Sequence, residues 1–135
     1  MSGAFGGSAT GDPCPCGSGR PYDACCGPLH RGEGVARTAE QLMRSRYAAY
    51  ARGDAAYLLA TWHPRTRPDS LDLDPVPEWR RLEVLERQGG SEGDQHGMVE
   101  FRAHFRHDNR SGQLHERSRF SRRGGRWVYV DGDTS

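Results

Sequence analysis

Four cysteines occupy one short segment near the start of the chain, Cys14, Cys16, Cys25 and Cys26, and the remaining sequence holds none. Their pattern is C-x-C, eight residues, then C-C. Residues 13–28, PCPCGSGRPYDACCGP, are dense in Cys, Gly and Pro. Such a stretch cannot form a long helix, and it has too little apolar material for a core of its own. Something must tie it together. Thiolates are soft ligands, and zinc takes about four of them in closed tetrahedral sites. Two close-spaced pairs joined by a tight loop, with Gly17-Ser18-Gly19 as the turn, place four sulfurs around one ion. Glycines there let backbone N–H groups approach the sulfurs, and Arg20 can offset the charge of about −2 that four thiolates leave on a dication. Metal binding then supplies the folding free energy of the segment.

Disulfides are the covalent alternative. Adjacent and one-apart cysteines close strained rings, and a reducing compartment opposes them. Oxidation with metal release, a redox switch, is a second alternative. Ligand type leaves iron open beside zinc. A closed four-cysteine site has no open position for catalysis. His30, four residues past Cys26, is a spare ligand by position but reads as a linker residue.

The chain has 135 residues and a formal net charge of +1. That suits one domain of about 100 residues plus a small appendage. With 18 glycines and 8 prolines, loops take a large share. All 19 basic residues are arginine, a composition that fits a GC-rich genome. A near-zero net charge argues against a broad nucleic-acid surface. No segment approaches the ~20 apolar residues of a membrane span, and Met1–Thr10 lacks the charged start and apolar run of a signal peptide. A cytoplasmic location follows as the expectation.

Residues 1–12 read as a disordered tail and 29–37 as a linker. Thr38-Ala-Glu-Gln41 is a capping box opening a helix that runs to about Arg52, with Gly53 as its stop. Asp54 caps a second short helix, Ala55 to Thr61. Arg65–Pro77 is a loop. The period then changes to two. Trp79–Glu86 predicts a strand with a bulge at Val84-Leu85. Val99, Phe101, Ala103 and Phe105 alternate with polar residues in a second strand. His107–Gln113 is a turn, Leu114–Ser121 a third strand, Arg123-Gly124-Gly125 a tight turn and Trp127–Val130 the last strand. The fold class is α+β: helices packed on one face of a curved antiparallel sheet over 38–133, preceded by the metal knob.

Within that domain Glu116 shares a strand face with Leu114 and Phe120, the inward face. A buried carboxylate needs a partner, and Arg44 or Arg46 of the first helix is the expected ion pair; a pocket acid or base is the functional reading. His63, beside Pro64 at a helix end, is a second pocket candidate or a capping residue. Tyr47, Tyr50, Trp62, Trp79 and Trp127 read as core. Arg117, Arg119, Arg122, Arg123 and Arg126 fall on the outward face of the last hairpin, a solvated face or a contact for an acidic partner or RNA backbone.

CPCGSGRPYDACCG resembles the SEC-C motif, a short zinc-binding segment at the C-terminus of the SecA translocase and in other bacterial proteins. LMRSRYAAYARGDAAYLLATWHP, LHERSRF and GRWVYVDG resemble the bacterial YchJ family. The resemblance spans Pro13 to Gly132. It implies zinc at Cys14, Cys16, Cys25 and Cys26, and a cone like that of nuclear transport factor 2 from about residue 35 onward. Three functions follow as expectations. The first is a binding module, more a contact protein than an enzyme, whose knob touches a protein or ribosome-associated partner. The second is a small-molecule binder or enzyme using the cone pocket. The third is a thiol-based redox or metal sensor. Oligomeric state is not legible.

Overall fold

The computed structural model describes residues 12–73 and 77–135. The expected tail lies outside them, apart from Asp12. Three helices precede four strands: α1 (Cys26–His30), α2 (Ala39–Arg52), α3 (Ala55–Ala60), β1 (Glu78–Gly89), β2 (His96–His107), β3 (Arg110–Arg123) and β4 (Arg126–Thr134). The strands form one antiparallel sheet in sequence order. This is the expected α+β architecture, helices laid over a single curved sheet.

Local chemistry explains the helix bounds. Thr38 Oγ1 accepts from Gln41 N at 3.0 Å and so caps α2. The Gln41 side chain returns to the backbone, but at Arg37 N (2.7 Å), one residue before the position a capping box uses. Gly53 ends α2 in the left-handed region, at φ 73°. Asp54 accepts from Tyr57 N at 3.0 Å and starts α3.

The strands are longer than hydrophobic alternation marks. β1 carries register shifts at Trp79/Arg81 and at Val84/Glu86; the second is the expected bulge. The turn expected over 107–113 shrinks to Asp108-Asn109, both at positive φ (51° and 63°), which matches a two-residue hairpin.

Val99, Ala103 and Phe120 face the helices and are almost fully buried with Leu42, Met43 and Trp127. Residues 29–37 are a correction to the expected linker. Leu29 and Ala36 are 8 % exposed and belong to this same core. Apolar burial makes the segment a strap rather than a hinge. The knob is therefore seated on the cone, with Cys14, Cys16 and Cys26 packed against Ala48 of α2.

Candidate metal centre and the cone pocket

The cysteine segment folds as a tight loop closed by two backbone bonds, Cys14 N to Arg20 O and Tyr22 N to Asp12 O, both 2.9 Å. Gly17 and Gly19 turn the chain at φ 82° and 86°, where a side chain would be strained. A 3₁₀ turn over Tyr22–Ala24 then presents Cys25 and Cys26 back to Cys14 and Cys16.

All four cysteines are free thiols, and their Sγ atoms lie within 4.8 Å of one another. Cys16 and Cys25 are 3.6 Å apart, Cys25 and Cys26 4.0 Å. A disulfide needs about 2.05 Å. A tetrahedral ion with bonds of about 2.3 Å needs sulfurs about 3.8 Å apart. The donor set therefore fits a metal ion. Hydrogen bonds from Cys14 and Cys26 hold the Cys16 thiol far below its usual value, while its bond to Cys16 pushes Cys14 up to about 11. Hydrogen bonds to Cys14 and Cys16 push Cys26 up as well. Sulfurs this close share protons; all four ionise together only around a cation. Ser18 Oγ lies 3.1 Å and Arg20 Nη2 3.9 Å from Cys25 Sγ, on the exposed side.

His30 is not part of the cluster. Its Nε2 faces Ser45 O at 2.8 Å and therefore donates; its Nδ1 accepts from Tyr22 Oη at 2.5 Å. Arg44 donates to Cys16 O at 2.7 Å while pairing with Glu40 at 2.9 Å. Both side chains staple the knob to α2.

The second site is a cavity of about 220 Å³ between α2 and the concave sheet face. Met43, Phe101, Ala103, Leu114 and Phe120 make it apolar; Arg46 and Glu116 are its charged groups. Glu116 points inward as alternation requires. The expected ion pair is absent, however. Arg44 is spent on Glu40 and Cys16, and Arg46 makes no salt bridge among the described residues. Glu116 Oε2 instead accepts from Ser118 Oγ at 2.7 Å and Tyr129 Oη at 2.9 Å. Burial, with the nearby Glu116 carboxylate, raises the Tyr129 phenol, so it stays a donor.

Arg46 is the residue sequence reasoning undervalued. It is 5 % exposed. Its Nη1 donates to Leu58 O (2.8 Å) and Thr61 Oγ1 (2.7 Å). Its Cζ lies over the Trp62 and Tyr129 rings, 4.9 and 4.7 Å from their centroids. An arginine at the i+3 position from Met43, on the apolar stripe of an amphipathic helix, was the available signal.

His63 does not reach this cavity. Its backbone N bonds Tyr129 O (2.8 Å), and its Nδ1 accepts from Arg65 N (3.0 Å), closing a turn. Tyr47, Tyr50, Trp62 and Trp79 line the pocket, whereas Trp127 is core and donates from its indole to Arg37 O at 3.0 Å. The arginines of the last hairpin are largely engaged. Arg117 meets Glu100 (3.3 Å), and Arg119 meets Asp131 (2.5 Å) and Asp133 (2.9 Å). Arg122 stacks on Trp127 and donates to Asp94 O (2.7 Å) and to Glu92 O. No helix among the described residues is long and apolar enough to cross a membrane.

Comparison with known proteins places both parts. The SEC-C motif matches residues 12–28, and the model described as YchJ, middle NTF2-like domain, matches residues 38–132. A UPF0225 protein of Streptomyces coelicolor is 56% identical over 121 residues, covering 90% of this chain and 94% of its own. One from Corynebacterium glutamicum is 48% identical, covering 91% and 98%. The solution structure of a SEC-C motif containing protein from Rhodopseudomonas palustris superposes with a TM-score of 0.79 at 39% identity, over 92% of this chain and 99% of that one. A crystal structure of another, from Psychrobacter arcticus, gives 0.73 at 28% identity, over 90% and 82%. With its four clustered cysteines ahead of a helix-covered curved sheet, the chain belongs to the YchJ (UPF0225) family, a SEC-C motif joined to an NTF2-like domain.

Proposed function

We propose that this protein is a small-molecule binder whose cone pocket receives the ligand and whose SEC-C knob holds a structural zinc. The observation that carries the reading is the cavity of about 220 Å³, apolar on most of its wall yet built around a buried arginine. A core that needed only stability would fill that space with apolar side chains. Pockets of this make, apolar with few convergent polar groups, are where ligands bind. Zinc is the metal favoured by four closed thiolates, and its role is to seat the knob on α2. The site leaves no position for substrate. A thermal-shift screen of the zinc-loaded protein against a fragment library tests the pocket. The expected result is stabilising fragments whose effect disappears in Ala103→Leu, which fills the cavity. A library without a single stabilising member sinks the proposal. Elemental analysis of protein purified without added metal should give one zinc per chain; one iron with a visible absorption band would overturn the metal assignment.

A second reading keeps the knob as a contact for a macromolecule. It is favoured by Gly17, Ser18, Gly19 and Arg20, which stand exposed beside Cys25. Pull-downs with Arg20→Glu, which leaves the cysteines intact, address it. Identical partner sets for variant and parent would remove this reading.

A further inference from the structure

The cone pocket holds a guanidinium whose donors the protein uses only in part. Arg46 carries five N–H donors on a plane that stays charged at any working pH. Two of them, both on Nη1, are placed by the bonds to Leu58 O and Thr61 Oγ1. No hydrogen bond to Nε or Nη2 is made by any group among the described residues. Trp62 and Tyr129, whose ring centroids are 5.2 Å apart, both lie to one side of the guanidinium, and its Nε and Nη2 are left without a protein partner among the described residues. Trp62, on the same wall, buries its indole N–H without a partner among the described residues. A buried donor left unpaired, as the Trp62 indole N–H is, is costly. Native proteins keep such groups chiefly where something else completes them.

The acceptors of the pocket leave those donors unbonded. Glu116 is the pocket's carboxylate, and one of its oxygens already takes Ser118 and Tyr129. It faces the Tyr129 hydroxyl rather than the arginine, whose guanidinium lies over the ring of the same tyrosine. The pocket thus offers the Nε and Nη2 donors of a guanidinium that is fixed through Nη1, and no acceptor among the described residues bonds them.

We infer that the ligand of the cone pocket is a small carboxylate with an apolar body, its carboxylate seated on the Nε/Nη2 edge of Arg46. This names the ligand class for the pocket reading above and rests on it. The fork geometry of arginine matches the two oxygens of a carboxylate, and the stacking of Arg46 leaves little freedom to lose on binding. The body meets Met43, Phe101, Ala103, Leu114 and Phe120. The volume, about 220 Å³, is below the about 300–1,000 Å³ of drug-sized sites, so the body is one ring or a short branched chain.

The test uses the full zinc-loaded chain and three matched probes: phenylacetate, its neutral isostere phenylacetamide, and 2-phenylethylamine. Calorimetric titration should show phenylacetate binding at least about tenfold tighter than the amide and no binding of the amine, since a charge-assisted bidentate pair is about twice as strong as a neutral bond. In the unmodified protein, the Arg46 Nε–H resonance should move on adding phenylacetate and stay still with the amine. Arg46→Lys keeps the charge and loses the fork, and should weaken phenylacetate by at least about tenfold. Should that variant fail to fold, the Nε–H shift and the plugged variant Ala103→Leu decide the same question. Equal or tighter binding of the amide or the amine overturns the carboxylate assignment. A fragment library yielding uncharged binders and no carboxylates overturns it too, and leaves the pocket reading standing. No binder among probes and library, with Arg46 unmoved at millimolar probe, overturns both.

Discussion

At the residue scale the cysteines and Glu116 are legible for opposite reasons. Cysteine spacing is local, so the turn at Gly17-Ser18-Gly19 and the return at Cys25-Cys26 determine the cluster without help from the rest of the chain. Replacing Cys26, 3 % exposed, by serine should abolish stoichiometric zinc and lower the unfolding midpoint, read by elemental analysis and thermal melts. An unchanged zinc content would mean that three sulfurs suffice. Glu116 is legible as inward because alternation fixes its face. Its partner is not, because no pattern along the chain reveals that Tyr129 of the neighbouring strand ends beside it. Gly132 tests that arrangement. A Cβ built there falls on the Glu116 carboxylate and also lies 2.9 Å from Glu116 Cγ, so the whole side chain, not only its tip, must move. Gly132→Ala should displace the carboxylate from Ser118 and Tyr129 and cost about 1–3 kcal/mol in urea unfolding. Wild-type stability in that variant would show that the contact has no structural weight.

At the element scale, the hydrophobic pattern reveals the helices and the middle of each strand but loses the strand ends. The outer parts of β2 and β3, from Arg106 to Gln113, are polar on both faces, so nothing in their sequence separates strand from turn; the ladder continues because backbone pairing does not need side chains. Composition places Gly90 in a polar turn. It is in fact where α2 docks: its carbonyl accepts from Ala39 N at 2.9 Å, its φ is 80°, and an added Cβ would lie 2.7 Å from Ala39 Cβ. Gly90→Ala should lose about 2–4 kcal/mol, whereas Gly93→Ala, with nothing within 4 Å, should be close to neutral. The same end of α2 carries a pH dependence. Glu40 is partly desolvated, which raises its carboxyl, but hydrogen bonds from Arg87 and Arg44 outweigh this and hold it below the ordinary 4.5. A carboxylate depressed in the folded state stabilises fully above its unfolded value, and that contribution fades as pH falls through the folded one. Stability should therefore fall below about pH 4.5, and Glu40→Gln should flatten this acid limb while lowering stability at pH 7, as measured by denaturant midpoints across about pH 2–7.

At the scale of the whole molecule, what the sequence conceals is the union of its two parts. LHRGEGVAR, residues 29–37, is rich in glycine and charge, and composition alone makes it a tether. The structure buries Leu29 and Ala36 from that stretch in the same cluster as Trp127, hangs His30 on Ser45 O, and ties Arg44 to Cys16 O. The proposed metal would thereby be linked thermodynamically to the cone: whatever holds the cysteines together also holds the strap that closes one flank of the core. If the knob were an independent bead, stripping its metal would leave the melting of the cone unchanged. Linkage predicts otherwise. Removal of the ion with a strong chelator should lower the midpoint of the entire chain, on the order of 10 °C for a loss of a few kcal/mol. Limited proteolysis of the stripped protein should begin before Thr38, because the strap is the first part to lose its anchor, while the far-ultraviolet signal of the sheet persists. Zinc added back should restore both midpoint and protection. A midpoint indifferent to chelation, with cleavage spread over the sheet, would mean that the buried strap holds without the metal, and that α2 rather than zinc organises the knob.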